Sequence, residues 1–313
     1  MGPSECLACG GALLPWRDVR AGEPSDTRRY PLRRCADCGS AFTNGEPPSP
    51  SAYEAGIYAP GEPRGGPAVR ALQRAVARQP VRMLREGGLE PGARVLDAGA
   101  GRGRLVTALR SAGYDATGID TSERSVALAQ SAGTPVEARA IAEHRDERLD
   151  AVVLWHVLEH LERPHEALTR VAGWLRPGGR LLIGVPNIGS LQARIGGDAW
   201  LHLDAPRHRS HFTPGGLAQL LDRAGFEAPA VRHLVWEHNV HGMWLALLGR
   251  MGMQPNLPFH LVKRNARARP ADLPALLAGA PLLPVTLALE LAAARAGRGG
   301  TVAALARLPV HVA

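Results

Sequence analysis

Four cysteines, a glycine-rich turn and two histidine-rich segments carry the chemistry of this 313-residue sequence. The cysteines form two CxxCG knuckles, Cys6-Leu7-Ala8-Cys9-Gly10 and Cys35-Ala36-Asp37-Cys38-Gly39. Two CxxC pairs can place four thiolates at the corners of a tetrahedron around Zn2+. The 25 residues between the knuckles exceed the usual interval of about 15–20, which a ribbon loop tolerates. A four-thiolate site is closed, so Cys6, Cys9, Cys35 and Cys38 are expected to hold a structural Zn2+, with redox-active or free thiols as the alternative. All four lie within the first 38 residues, which makes them one local device and not a chain-wide disulfide framework.

The turn Asp97-Ala98-Gly99-Ala100-Gly101-Arg102-Gly103 follows directly on the apolar run Val95-Leu96. Glycines there let the backbone turn tightly and approach a ligand, and the helix that follows presents free N–H groups. A dinucleotide fingerprint would need its third glycine at the position of Arg104, one residue later than Gly103. Asp120 ends the next apolar segment, where an acid can accept hydrogen bonds from both ribose hydroxyls.

The first histidine cluster is His156, Glu159 and His160; the second is His202, His208 and His211, within Trp200 to Phe212. Histidine is the side chain best placed to take a proton near neutral pH. His156, nearest a strand end, is expected to face a pocket, whereas Glu159 and His160 begin a helix and serve equally as capping or packing groups. His208 and His211 are the other candidate bases, and His211 is equally placed to brace the helix that Thr213 opens. A metal site from His202, Asp204, His208 and His211 fits no helical or hairpin ligand spacing well.

The elements that must position these groups read as follows. Residues 1–43 form a small ribbon module with a strand in 28–34, and the Pro- and Gly-rich stretch 44–67 reads as a linker. A helix is expected at about 68–86, with Pro80 as a kink. Strand and helix then alternate: strands at 94–97, 116–120, 135–138, 149–154 and 180–185, and helices at about 103–112, 122–132 and 165–175. Thr213-Pro214 opens a helix to about Arg223, a sixth strand falls in 226–236, and Thr301 to Ala306 is the last. The expected core therefore covers 68–236 and 299–313, with an apolar, basic helical insertion at 237–298. Such alternation predicts a doubly wound, mostly parallel α/β sheet of seven strands.

Here the sequence resembles the class I S-adenosylmethionine-dependent methyltransferases, over about residues 93–227 and the last strand. The resemblance rests on the DxGxGxG loop at 97–103, on Asp120, and on Leu154-Trp155-His156-Val157-Leu158-Glu159-His160-Leu161. It continues through Leu175-Arg176-Pro177-Gly178-Gly179 and Val185-Pro186-Asn187. It implies a Rossmann-like fold and the cofactor S-adenosyl-L-methionine. The implied contacts are Asp97, Gly99, Gly101, Gly103, Asp120, Ala142 and Trp155. Where many members carry an acid toward the adenine amino group, this chain has Ile141, leaving backbone groups near Ala142, or Glu143, to read the base.

Enzymes that methylate exocyclic amines of DNA bases resemble one another in an Asn/Asp-Pro-Pro-aromatic tetrad after the fourth strand. This chain has Leu154-Trp155-His156-Val157 there. The LEH segment instead resembles small-molecule enzymes, including ubiquinone-type O-methyltransferases. The expected acceptor is a sugar, polyketide, quinone or lipid-linked molecule. A non-catalytic docking protein on the same scaffold, or a nucleic-acid methyltransferase, is the alternative.

The net charge of +8 would by itself suggest a nucleic-acid partner. It is unevenly spread: residues 1–60 hold six basic and seven acidic residues, and residues 230–313 hold nine and three. Nucleic acid is therefore not the expected partner of the cysteine module or the core. No secretory signal or uninterrupted apolar run of spanning length is visible, and Pro281, Pro284 and Glu290 would break or burden a spanning helix at 273–294. A cytoplasmic location is the default expectation. Peripheral membrane contact through residues 240–294 fits the basic, apolar insertion, and so does a helical cap or a dimer contact with solvated arginines.

Overall fold

The computed structural model describes residues 4–23, 26–53, 67–145, 148–254, 257–258, 261 and 267–310. Most of the expected linker (54–66) and part of the basic run (262–266) lie outside the described residues. In chain order, the N-terminal part contributes β1 (Leu13–Arg20), β2 (Arg29–Cys35) and β3 (Ala41–Thr43). Helix α1 (Pro67–Glu86) runs through Pro80. Then come β4 (Arg94–Ala98), α2 (Arg104–Ser111), β5 (Asp115–Asp120), α3 (Glu123–Ser131) and β6 (Val136–Ala138). They are followed by β7 (Leu149–Trp155), α4 (Pro164–Trp174), β8 (Leu175–Pro186) and α5 (Leu191–Gly196). The chain continues with β9 (Ser210–His211), α6 (Pro214–Arg223), β10 (Ala230–Arg232) and α7 (Asn239–Arg250). It closes with α8 (Leu273–Arg295) and β11 (Thr301–Arg307).

Seven strands form one sheet in the order β10-β11-β8-β7-β4-β5-β6. β4 pairs in parallel with β5 (Leu96 opposite Thr117) and with β7 (Leu96 opposite Val152), and β7 pairs in parallel with β8. β11 runs antiparallel between β8 and β10. The central strands are continuous runs of Val, Leu, Ile and Ala because both of their faces are covered. One face packs Leu96, Leu154, Ile183 and Val302 against α4 and α6; the other packs Val95, Val153 and Leu182 against α1 to α3. The carboxyl ends of β4, β5 and β7 all open toward one edge, which delivers Asp97, Asp120 and Trp155 to neighbouring positions.

The starts of α3 and α6 are capped by side chains. Ser122 Oγ accepts from Ser125 N at 3.2 Å, and Thr213 Oγ1 accepts from Gly216 N at 3.0 Å with Pro214 in the first turn.

Two features differ from expectation. The second sheet, β1-β2-β3-β9, is completed by residues 210–211, far along the chain. Cys6, Leu13 and Phe42 accordingly share a core with Phe212, Leu217 and Leu221. The other is α8, a continuous 23-residue helix through Pro281 and Pro284. Each interior proline removes the bond to a carbonyl four residues back. Those carbonyls belong to Leu277 and Ala280, which are exposed, so water can satisfy them.

Candidate active site

The glycine turn leaves β4 with Gly99 at φ 94° and Gly101 at φ 52°, in the left-handed region that L side chains rarely adopt. A Cβ on Gly99 would lie 2.3 Å from Val157 Cγ2, so that glycine lets the turn pack on the segment after β7. A Cβ on Gly101 would meet nothing within 4 Å, so the turn faces open space there. Asp120, at the end of β5, accepts from Gly101 N at 2.7 Å and Ser122 N at 2.8 Å, one bond per carboxylate oxygen.

Asp97 is 3% exposed, and no described residue donates a hydrogen bond to its carboxylate. Burial, helped by the charge of Asp120, pushes its pKa up to about 7. A buried carboxyl in that state lacks a donor or a cation.

Beyond β6, Ile141 packs against the core, and the Ala142 carbonyl accepts from Arg145 at 2.8 Å. Glu143 Oε2 accepts from Ala140 N at 3.3 Å, which folds that side chain back on its own turn.

At the end of β7, Trp155 lies against Gly184, where a Cβ would come 2.8 Å from its ring, and its Nε1 donates to Glu237 at 2.9 Å. His156 follows at φ 57° and donates its backbone N–H to Gly184 O at 2.9 Å. A non-glycine residue there is strained, and such strain concentrates where a side chain must be aimed. The aim is visible: His156 Nδ1 lies 3.2 Å from Glu159 Oε1. A carboxylate only accepts, so Nδ1 carries the proton and Nε2 the lone pair. Nε2 is buried with no hydrogen-bond partner among the described residues. Burial would raise Glu159, but the His156 hydrogen bond and the surrounding histidines outweigh it and hold the acid at about 2.

Two histidines absent from the sequence expectation join this group. The His238 ring lies 4.0 Å from that of His156, and His202 and His241 each lie 5.5 Å from His238. Burial lowers the pKa of His202, His238 and His241, so these rings are neutral at physiological pH. Nothing local in the sequence marks His238 and His241. They arrive because α7 packs beside the strand ends.

The other sequence candidates sit differently. His160 Nδ1 donates to Arg207 O at 3.1 Å and His208 Nδ1 to His202 O at 2.8 Å, with the two rings 4.7 Å apart. Burial lowers His160 to about 4. His211 pairs through β9 with the N-terminal sheet, and its Nε2 lies 2.9 Å from Thr43 Oγ1. Burial lowers it to about 3. Asp204 is held by Arg207 at 2.6 Å, so His202, Asp204, His208 and His211 do not converge as ligands. Tyr53, from the expected linker, packs edge-on against His160, and Arg209 donates to Gly45 O at 2.8 Å.

The four cysteines converge as their spacing requires. Cys6 and Cys38 sulfurs are 3.6 Å apart, Cys9 and Cys35 sulfurs 3.4 Å, and all four lie within 4.8 Å of one another. Zn–S bonds of about 2.3 Å in a tetrahedron imply S···S edges of about 3.8 Å. Cys9 N and Gly11 N point at Cys6 and Cys9 sulfurs, both at 3.5 Å. The module's basic cluster is engaged locally: Arg28 on Asp26, Arg33 on Leu13 O and Arg34 on Gly39 O.

A family model described as a methyltransferase domain matches residues 68–231. A ubiquinone biosynthesis O-methyltransferase from Bordetella avium (strain 197N) is 34% identical over 157 residues, which are 45% of this chain and 65% of that protein. One from Paracidovorax citrulli (strain AAC00-1) is 37% identical over 112 residues, 32% of this chain and 47% of that protein. The chain thus spans less than two thirds of the length of these relatives. Among solved structures it is similar to coclaurine N-methyltransferase bound to N-methylheliamine and SAH, with 14% identity and a TM-score of 0.50. That match covers 74% of this chain and 70% of the other, and it shows the fold alone.

Proposed function

Since the chain belongs to the methyltransferase-domain family, we propose that it transfers a methyl group from S-adenosyl-L-methionine to a hydroxyl oxygen of a small quinone-type acceptor. The carrying observation is the His156–Glu159 pair beside the glycine turn. The acceptor class rests on the ubiquinone O-methyltransferase relatives.

The residues fit the cofactor. The buried, donor-less carboxylate of Asp97 suits its ammonium group, and the turn suits its amino-acid portion: it is open at Gly101, while Gly99 and Gly103 let it pack closely on Val157 and Thr134. Asp120 already accepts one bond at each oxygen, and its remaining lone pairs suit two ribose hydroxyls. The backbone at Ala142 and the ring of Trp155 would border the rest. When bound, the cofactor supplies a methyl carbon activated by its sulfonium.

The chain's own task is to align the acceptor and remove its proton. His156 Nε2 takes the hydroxyl proton as the oxygen becomes a nucleophile. Glu159 fixes the tautomer through Nδ1 and stabilises the imidazolium that forms, because its carboxylate stays ionised. His208 and His211 are bonded to His202 O and Thr43 and serve to hold the acceptor-side loop, not to take the proton. Cys6, Cys9, Cys35 and Cys38 hold a structural Zn2+ that keeps the N-terminal module folded against β9 and α6.

Titration calorimetry with the cofactor, and methyl-transfer assays on catechol and hydroxyquinone acceptors, test this reading. Asp120→Ala is expected to bind the cofactor about 100-fold more weakly, from two charge-assisted bonds at about 1.5 kcal/mol each. Cofactor affinity unchanged in Asp120→Ala overturns it.

A further inference from the structure

Helix α8 is apolar on nearly all sides and lacks the polar outer face of an ordinary surface helix. Its buried positions are Ala275, Gly279, Thr286, Glu290 and Ala293, a stripe of small or polar residues at helical spacing. Leu276 and Leu282 pack against the buried cluster of Leu245 and Leu248, but five other large apolar side chains point outward: Leu273 and Leu277 are 55% and 72% exposed, and Leu283, Val285 and Leu287 are exposed as well. A surface helix ordinarily turns its apolar stripe inward, and a contiguous exposed patch of this kind marks a contact surface.

The helix does not span a bilayer in this arrangement. Glu290, its only acid, is 0% exposed and accepts from Gln192 at 2.9 Å, Asn239 at 2.7 Å and Gly300 N at 2.9 Å. Those bonds pin the C-terminal part of the helix to α5, α7 and the start of β11. Trp244 Nε1, donating to Gly279 O at 2.7 Å, ties it to α7 near its other end.

Charge selects the partner. Residues 240–298 hold seven basic residues and two acids. Both acids, Asp272 and Glu290, are wholly buried and hydrogen-bonded internally. Every charge this segment shows to solvent is therefore positive, including exposed Arg250, Arg267, Arg295 and Arg298. A second copy would bring the same cations to the same leucines.

We propose that the outer face of α8 docks the protein on an anionic lipid bilayer, with its leucines in the headgroup–acyl boundary and arginines at both ends on the phosphates. α7, which carries His238 and His241 to His156, is packed on α8. Docking therefore couples the membrane-facing helix through α7 to the His156 group.

Flotation of the full chain with vesicles of phosphatidylcholine, with and without phosphatidylglycerol, tests the proposal. Binding is expected to the phosphatidylglycerol vesicles, to fall as salt rises, and to drop roughly fivefold for each of Arg295→Glu and Arg298→Glu. The double variant Leu277→Gln/Leu283→Gln should lose about tenfold or more, with circular dichroism and cofactor affinity unchanged. No binding to anionic vesicles at low salt overturns the proposal. So does a dimer in light scattering that the double variant abolishes while vesicle binding is unaffected. Neither result bears on methyl transfer, whose failure is read separately in cofactor binding.

Discussion

Thr43 and His211, 168 positions apart, meet at 2.9 Å between Oγ1 and Nε2, buried where β3 pairs with β9. The Thr43 hydroxyl has one proton and donates it to His208 O at 2.7 Å. His211 must therefore donate through Nε2–H, which makes it a neutral ring with a structural duty. Thr43→Val keeps the shape and leaves that N–H buried without an acceptor. The expected loss is about 1–3 kcal/mol of unfolding free energy, measured by urea denaturation, with cofactor affinity unaltered.

The His156–Glu159 pair makes a separate prediction. His156→Ala should lower kcat about 10²–10⁴-fold, the usual yield of general-base catalysis, while cofactor affinity stays within a few-fold. Glu159→Gln leaves a neutral partner that cannot stabilise the imidazolium. It should lower kcat and shift the acid limb of the pH–rate profile, a change that mere repacking would not produce. A His156→Ala enzyme of full kcat would remove the base assignment.

Cofactor binding should release protons. With Asp97 near 7 in the free protein, roughly half of the molecules carry a proton there at neutral pH. An ammonium partner favours the carboxylate and drives the proton off. Calorimetry at pH 7 in buffers of different ionisation enthalpy should show release of about half a proton per cofactor bound. Release should shrink toward pH 9, where Asp97 is already ionised, and vanish in Asp97→Asn.

Acid should unfold the protein over a defined range. His160 and His211 titrate near 4 and 3 when folded, against about 6.5 when unfolded. Between those values the unfolded chain binds more protons, so stability falls as pH falls from about 6.5 toward 4. Glu159, depressed to about 2, adds to the loss below its unfolded value of about 4.3. Melting temperatures followed from pH 8 to pH 4 should decline across that window, and the decline should be shallower in His211→Gln.

Removing the metal should loosen more than the knuckles. Thr213, the cap of α6, donates to Cys38 O at 2.7 Å, and Arg223 donates to Ala8 O at 2.9 Å. One zinc per chain is expected by metal analysis and none in Cys35→Ser. Chelation should lower the melting temperature and raise hydrogen exchange in 205–216 as well as in 6–43.

What could be read from sequence depended on how local its cause is. The CxxC pairs and the glycine turn act over a few residues, and the central strands announce themselves as apolar runs because both faces are covered. Asp97, Asp120 and His156 could thus be placed at strand ends from periodicity alone. β9 is two residues long and carries no period, so its union with β3 appears only when the chain folds back. That union is what ties the His211 ring to Thr43, a contact that its position in the sequence does not reveal. His238 and His241 reach His156 only because α7 packs across the strand ends, a contact with no trace in local spacing. In α8 the sequence displays a helix-length apolar stretch with prolines and one acid. Only the tertiary structure turns that acid inward to Gln192, Asn239 and Gly300, since a buried carboxylate must find donors, and this leaves Leu273, Leu277, Leu283 and Leu287 facing out.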